Sequence, residues 1–243
     1  MNDKRQNFFA GLKDGIPICL GYFAVSFAIG VKAFELGIGP WQAFLYSVAN
    51  LTSAGQVSGL EMFAYSAGLA EVAFAQLVIN LRYCLMSATL SQKLIRPVHT
   101  VHRFLMAYGV TDEVFALSAM RPGRLSPWYT YGLLAAAVPG WGFGTLFGAL
   151  FSSLLPASLL SALGIAIYGM FIAIIVPPAR EKPAVRTVVL IAMALSAAFA
   201  WVPLLSRVST GFRIIIIALG VSAAAAVLAP VQEDAPEEVR HEE

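Results

Sequence analysis

Charged side chains are scarce in this sequence, and their scarcity decides the class of the protein. Only 12% of the 243 residues are charged, whereas 58% are hydrophobic; a soluble domain carries about a quarter charged residues. Residues 125–179 contain no Asp, Glu, Lys or Arg, and one spanning helix needs about 20 apolar residues. We therefore predict an all-α integral membrane protein, a polytopic helical bundle, since no segment alternates as a barrel strand does.

Cysteine, histidine and catalytic motifs are also sparse, which excludes several classes of function. The two cysteines, Cys19 and Cys84, lie in apolar sequence, where inert buried thiols are typical. His99 and His102 stand in a basic loop without a Cys or carboxylate nearby, so no metal site is predicted. The sequence has no HExxH or GxSxG motif and no phosphate-binding loop. We expect no enzyme activity, no cofactor and no nucleic-acid partner.

Charge is distributed unevenly along the chain. Residues 231–243 carry six acidic side chains and one arginine, a net charge of −5 against +2 for the whole chain. Such a tail is typical of a solvated end. No small-x-small cleavage site follows the first apolar run, which we interpret as a retained span rather than a signal peptide. The predicted parts are a cytoplasmic N-terminus (1–15), a single transmembrane transport domain (16–229) and an acidic cytoplasmic tail (230–243).

Basic loops predict the number of spans. Cytoplasmic loops are enriched in Lys and Arg, and the loops 93–103, 121–124 and 180–186 are basic. All three loops and the N-terminus lie on the cytoplasmic side only if residues 41–64 and residues 104–120 each enter the membrane and return to the side from which they entered. That arrangement has six spans and two broken or re-entrant segments; eight spans is the alternative. The predicted spans are 16–34, 68–90, 129–151, 159–176, 187–205 and 214–229, with Pro17 in the first turn of the first and Pro177 and Pro178 ending the fourth.

A polar run at residues 50–58 is the candidate solute site. Each buried amide or hydroxyl needs a partner or costs a few kcal/mol, and polar backbone at membrane depth survives only within protein or beside water. Arg82 lies inside the next predicted span, where it would clamp a substrate carboxylate or form a gate salt bridge; snorkelling to the interface is the alternative. The candidate substrate-binding residues are Asn50, Thr52, Ser53, Gly55, Gln56, Asn80 and Arg82.

Carboxylates inside the apolar segments are candidates for carrying a coupling proton. They are Glu71, Asp112 and Glu113. An interfacial place among lipid headgroups is the alternative for Glu71. Asp112 and Glu113 are adjacent and face different sides of a helix, so one of them is expected to pair with Arg82 or Arg121, or to cap a broken helix.

Two spacings indicate contacts between or along helices. Gly140, Gly144 and Gly148 recur every fourth residue, which lets two helices approach backbone to backbone. This contact is expected within the chain, although a partner subunit or a homo-oligomer is compatible with it. Lys32 and Glu35, three residues apart, are expected to pair with each other.

Several short motifs, in their order and spacing, resemble the large subunit of AzlC-type branched-chain amino acid exporters. They are Gly11-Leu-Lys-Asp-Gly-Ile-Pro17, Ser53-Ala-Gly-Gln56, Asn80-Leu-Arg-Tyr83, Thr111-Asp-Glu-Val-Phe115 and Met170-Phe-Ile-Ala173. The resemblance implies proton-driven export of valine, leucine, isoleucine and sometimes methionine across the bacterial inner membrane, together with a small AzlD-type membrane subunit. The chain departs from the family where Tyr83 replaces a usual His and Gly164 replaces a frequent Asp.

The sequence therefore predicts a multi-pass exporter of aliphatic amino acids that works in the lipid bilayer with a small partner. Two alternatives stay open. One is an uptake permease or channel for another small neutral solute, and the other is a non-transporting membrane scaffold.

Overall fold

The computed structural model describes residues 2–95, 97–203 and 205–228, and the acidic tail predicted at 230–243 lies outside them. Helices dominate the described residues, and short 3₁₀ turns occur at Ser152–Leu154 and Leu205–Arg207. The α-helices are α1 (Asn2–Glu35), α2 (Pro40–Ala49), α3 (Ser53–Ala64), α4 (Leu69–Ile79), α5 (Leu81–Lys93), α6 (Thr100–Tyr108), α7 (Asp112–Met120), α8 (Pro127–Phe151), α9 (Ala157–Glu181), α10 (Pro183–Trp201) and α11 (Thr210–Leu228).

The chain divides into two compact units. The first runs to residue 173 and the second begins at residue 174, within α9. In the second unit α10 and α11 pack against each other. The first unit contains the predicted binding and coupling residues and is the one described in detail below.

The lengths of the helices fit an all-α membrane protein. Among the described residues, four helices are long and apolar enough to cross a membrane, or five if the bent pair α4–α5 is one span. This is fewer than the predicted six to eight. The eight-span alternative lacks support because residues 41–64 and 104–120 fold into helices of 9 to 12 residues, too short to span. The predicted span 159–176 lies within α9, some of whose side chains are outside the described part. The four long helices are Asp3–Glu35, Pro127–Leu154, Pro183–Trp201 and Thr210–Val227.

Prolines do not mark helix ends where the sequence predicted them. Pro17 lies inside α1, which begins at Asn2 rather than near residue 16. Pro177 and Pro178 lie inside α9, which continues to Glu181 instead of stopping at them. Both expectations were wrong, because helices that pack against neighbours in a membrane tolerate the backbone group that a proline leaves unpaired.

The centre of the first unit is the parallel pair α1 and α8, whose backbones touch. A Cβ atom added at Gly140 would lie 2.5 Å from the carbonyl oxygen of Cys19, and one at Gly144 would lie 2.5 Å from that of Phe23. Gly148 meets α1 four residues further along. These glycines therefore pack within the chain. Helix α1 supplies small residues to the same contact in return: Gly11, Gly15 and Gly30.

Helices α2 and α3 form a hairpin whose tip is the break at residues 50–52. Gln42 at the start of α2 and Phe63 at the end of α3 line one cavity. Lys32, near the end of α1, pairs with Glu61 of α3 at 3.6 Å rather than with Glu35. The predicted pair was wrong, because α3 folds back towards the C-terminal end of α1.

Helices α6 and α7 form a second hairpin, with its tip at residues 109–111. The ring of His102, at the start of α6, is hydrogen-bonded to the hydroxyl of Tyr131 in α8 at 2.6 Å. Arg121, just after α7, donates to Asn7 of α1 at 3.2 Å. The outer ends of this hairpin therefore lie beside the N-terminal ends of α1 and α8. The two hairpins enter the first unit from opposite ends.

The pair α4–α5 runs from one end of the first unit to the other. It begins just after the outer end of α3 and bends by 47° at Asn80. At its far end the Lys93 ammonium donates to two carbonyl oxygens, that of Ala119 in the last turn of α7 and that of Arg121 just after this helix. The basic loops at 93–103 and 121–124 thus lie at one end of this unit, as their charge predicted.

Candidate functional site

The tips of the two hairpins meet in the middle of the first unit. The hydroxyl of Tyr108, the last residue of α6, donates to the carbonyl oxygen of Val48 in α2 at 2.5 Å. Each tip ends in a threonine whose side chain caps the helix that follows: Thr52 accepts from the third residue of α3, and Thr111 accepts from the third residue of α7. The first-turn N–H groups of both helices point into this region without an intrahelical partner, as at any helix N-terminus.

Gln56, in the first turns of α3, is wholly buried and keeps one donor group unused. Its side-chain oxygen accepts from the indole N–H of Trp141 at 2.8 Å and from the hydroxyl of Ser47 at 3.3 Å. Because an indole nitrogen can only donate, these contacts fix which end of the amide faces α8. The amide nitrogen of Gln56 is left without a partner, which costs about 1–3 kcal/mol unless a bound molecule accepts from it.

A network of amides closes the tip of the first hairpin. Gln76 of α4 donates to the carbonyl oxygen of Gly55 at 2.7 Å and accepts from Asn50 at 3.1 Å. Asn80, at the bend of α4–α5, donates to the same Gln76 oxygen at 3.3 Å, and its own buried oxygen has no partner. The hydroxyl of Tyr46 also donates to Gly55. One unpaired donor and one unpaired acceptor therefore lie on adjoining sides of the tip.

Arg82 forms an ion pair between α5 and the tip of the second hairpin. Its guanidinium lies 2.6 Å from a carboxylate oxygen of Asp112, and both side chains are about two-fifths exposed. Arg82 also lies over the ring of Tyr83, whose side chain lies against that of Thr52. The arginine is eleven residues, about 16 Å of helix, from Lys93 at the end of α5. Arg82 is therefore paired with Asp112 well away from the C-terminal end of α5.

Glu113 is joined to the first hairpin through two aromatic side chains. The hydroxyl of Tyr22 in α1 donates to the Glu113 carboxylate at 2.5 Å and accepts from Thr111 at 2.5 Å. The ring of Tyr22 meets that of Trp141 edge to face, with centroids 5.1 Å apart. Trp141 in turn donates to Gln56. A continuous chain of contacts thus links the acidic start of α7 with the unused amide of α3.

The structure brings together most of the residues predicted for the site. Ser53 and Gly55 lie in the first turn of α3, and a Cβ at Gly55 would lie 2.6 Å from the oxygen of Gln76. Glu71 is the exception. It belongs to the first turn of α4, nine residues or about 14 Å of helix before Asn80, towards the outer end of the first hairpin. The predicted site residues at the tips are Asn50, Thr52, Ser53, Gly55, Gln56, Asn80, Arg82, Asp112 and Glu113.

Several residues at the tips were not predicted from the sequence. Tyr22, Tyr46 and Trp141 are single aromatic residues in apolar runs, which nothing distinguishes from residues that face lipid. Gln76 carried a usable signal, because it stands four residues before Asn80 in an otherwise apolar helix and so lies on the same face.

The sequence profile described as "AzlC protein" matches residues 17–155, more than half of the chain and the whole of both hairpins. The chain belongs to the AzlC family. The resemblance stated from the motifs is thereby confirmed.

Two relatives support the membership of the AzlC family. The chain is 30% identical over 146 residues to a protein of Escherichia coli named inner membrane protein YgaZ, covering 58% of the chain but only 60% of that relative. It is 31% identical over 182 residues to an uncharacterized membrane protein of Archaeoglobus fulgidus, covering 74% of the chain and 79% of the relative. No solved structure matches the chain.

Proposed function

We propose that this protein is a secondary transporter that exports aliphatic amino acids such as valine, leucine and isoleucine. The single observation that carries the proposal is the meeting of two broken helical hairpins around an unused, buried amide donor. Transporters build solute sites near the bilayer midplane from discontinuous helices, whose N-termini face anionic substrate groups. Membership of the AzlC family supports the same function, and the proposal assigns no chemical step to the protein.

The carboxylate of the solute would lie at the N-terminus of α3. That terminus carries about half a positive charge, and Gln56 adds its unpaired N–H group there. The ammonium group would lie towards the acceptor side, which contains the buried oxygen of Asn80 and the carboxylate of Glu113. A hydrophobic pocket discriminates between aliphatic side chains by only about 1–3 kcal/mol per methylene, so several aliphatic amino acids are expected substrates.

Glu113 is the proposed carrier of the coupling proton. Its carboxyl group sits at the tip, and the Tyr22 hydroxyl, 2.5 Å away, offers a route for a proton through the contact. Asp112 is engaged by Arg82 instead, so that ion pair acts as a gate that opens when the solute or the proton arrives. Glu71 stands away from the tips.

In the proposed arrangement, the protein crosses the bacterial inner membrane six times. The spans are α1, α4–α5, α8, α9, α10 and α11, and the two hairpins enter from opposite sides. The basic end of the first unit faces the cytoplasm in this arrangement, in accord with the distribution of Lys and Arg. A small AzlD-type subunit is the proposed partner; this rests on the family alone.

Flux measurements in proteoliposomes test the proposal. The protein is reconstituted with and without the small subunit, and uptake of radiolabelled leucine and lysine is measured with and without an imposed pH gradient. Saturable leucine flux that depends on the gradient is expected only with both subunits, and lysine flux should equal that of empty liposomes. Leucine flux indifferent to the gradient would favour a channel or uniporter, and no leucine flux above empty liposomes would sink the proposal.

A further inference from the structure

A cavity of about 250 Å³ lies between the two helices of the first hairpin, away from the tips. The cavity is bordered by α2, by α3 and by Ile38, in the turn that follows α1. Its lining side chains are aliphatic or aromatic except for one amide, that of Gln42. The lining residues are Ile38, Gln42, Tyr46, Leu60 and Phe63.

Tyr46 separates this cavity from the polar tip. Its ring borders the cavity and meets the ring of Phe63 edge to face at 5.5 Å. Its hydroxyl reaches the other way, donating to the carbonyl oxygen of Gly55 at 3.3 Å and accepting from Asn50 at 3.0 Å. The hydroxyl fits only because residue 59 is glycine, since a Cβ there would overlap it. Tyr46 therefore lies between the cavity and the hydrogen-bonded residues of the tip.

We propose that this cavity is a vestibule for the transported aliphatic amino acid, on the side of the C-terminal end of α1, and that Tyr46 is the gate between vestibule and tip. The inference rests on the proposed function and extends it to a second site. The volume is that of roughly eight water molecules, which suits a solute with the size of leucine. The apolar lining takes its side chain, and the hydroxyl of Tyr46 lies on the side that leads to Gln56.

The opposite end of the first unit differs. The cavity there, between α5 and α6 beside Arg103, holds only about 40 Å³. Of these two cavities, the one between α2 and α3 has the volume of an amino acid and the one between α5 and α6 does not. The occupant of the larger cavity is assigned to the solute because the cavity leads to the polar tip, whereas a lipid chain would need no such connection.

Cysteine labelling tests the vestibule. In a background with Cys19→Ala and Cys84→Ser, single cysteines are placed in the cavity (Gln42→Cys), at the tip (Ser53→Cys) and in the exposed turn after α3 (Ser66→Cys). Reaction with a water-soluble maleimide is followed in proteoliposomes with leucine or lysine. At a leucine concentration ten times its Kd, the rate at Gln42→Cys should fall about tenfold, because only the empty cavity reacts. The rate at Ser66→Cys should not change, and lysine should have no effect.

A matched pair of glycine variants tests the gate. Gly59→Ala pushes the Tyr46 hydroxyl out of its place, whereas Gly68→Ala adds a methyl group where nothing lies within 4 Å. Ser53→Cys should then react with the maleimide several-fold faster in the Gly59→Ala protein than in the Gly68→Ala protein, because the displaced Tyr46 no longer separates the tip from the cavity, whereas Gln42→Cys should react equally in both. Equal rates at Ser53→Cys in the two proteins would show that Tyr46 is not the gate.

The outcomes separate this inference from the proposed function. Protection of Ser53→Cys with leucine flux, but none of Gln42→Cys, would overturn the vestibule alone. Labelling of Gln42→Cys that is blocked in bilayers regardless of leucine would show a lipid chain in the cavity and overturn it too. No protection anywhere and no flux would overturn the proposed function itself.

Discussion

The α1–α8 pair and the two hairpins beside it are built on opposite principles. The long helices touch backbone to backbone, with glycines on both sides and no space for a Cβ atom. The hairpin helices have 9 to 12 residues, a length at which an isolated helix is marginal, and their tips are joined by side-chain hydrogen bonds. The α1–α8 pair, called the frame below, is therefore close-packed, whereas the hairpin helices are short and are held at their tips by side-chain hydrogen bonds.

The contrast assigns different consequences to substitutions in the two regions. Changes in the frame are expected to remove the folded protein, because interiors at this density do not absorb extra volume. Changes at the tips are expected to leave the fold intact and to alter binding, coupling or gating. Four experiments examine this division.

The largest effect is expected for Gly144→Leu in the frame. The new side chain would begin 2.5 Å from the carbonyl oxygen of Phe23, so α1 and α8 would have to separate. The yield of monodisperse protein in size-exclusion chromatography should fall at least about tenfold, since overpacking costs 1–3 kcal/mol or more. Gly21→Leu is the control, because nothing lies within 4 Å of a Cβ at that position of α1. Equal losses of monodisperse protein in the two variants would show that close contact between α1 and α8 does not set the tolerance to added volume.

Glu113→Gln is expected to abolish coupling while preserving the site. The glutamine oxygen can still accept from the Tyr22 hydroxyl, but the side chain no longer takes up a proton. Leucine accumulation driven by a pH gradient should disappear, whereas leucine–leucine exchange should persist. Glu61→Gln, which only breaks the pair with Lys32, should retain both. Gradient-driven accumulation that survives in Glu113→Gln and vanishes in Glu71→Gln would transfer the role to Glu71.

Gln56→Glu isolates the contribution of the unused amide. The carboxylate keeps an oxygen for Trp141 but has no N–H group to offer, and it repels an anionic solute group. The KM for leucine should rise about tenfold, the equivalent of 1.4 kcal/mol. Gln92→Glu, in the exposed last turn of α5, should leave the KM within about twofold of the unaltered protein. An unchanged KM in Gln56→Glu would show that the carboxylate of the solute does not bind at residue 56.

The smallest effect is expected at the Arg82–Asp112 pair. An ion pair this exposed contributes no more than about 1 kcal/mol, or about fivefold in a rate. Arg82→Asp and Asp112→Arg should each slow leucine flux by about that factor, and the double variant should recover most of it. If the double variant is as slow as the singles, Arg82 touches the solute rather than gating its path.

Sequence reasoning identified the candidate site in this protein because polar residues stand out in apolar surroundings. The break after Asn50 and the partner of Arg82 both follow from that contrast, and the charge of the loops indicated that residues 41–64 and 104–120 would not span. These inferences need only local sequence and the preference of lipid for apolar groups.

What the sequence did not indicate depends on contacts between distant segments. Trp141 holds an amide 85 residues earlier in the chain, and Tyr22 meets Glu113 after 91 residues, and neither aromatic residue differs in its surroundings from one that faces lipid. The wrong partner for Lys32 has the same cause, because a rule for one helix cannot foresee a neighbouring helix that folds back. Glu71 is polar in apolar sequence too, so composition alone could not separate it from the residues at the tips.

The hydrogen bond from Tyr108 to Val48 ties together two elements that approach from opposite ends. A displacement of either one stretches this bond unless the other follows. Admission from one compartment and sealing against the other would then be a single concerted movement. In the proposed transport cycle, that constraint would prevent a continuous file of water across the bilayer, and the proton gradient would not be dissipated between turnovers.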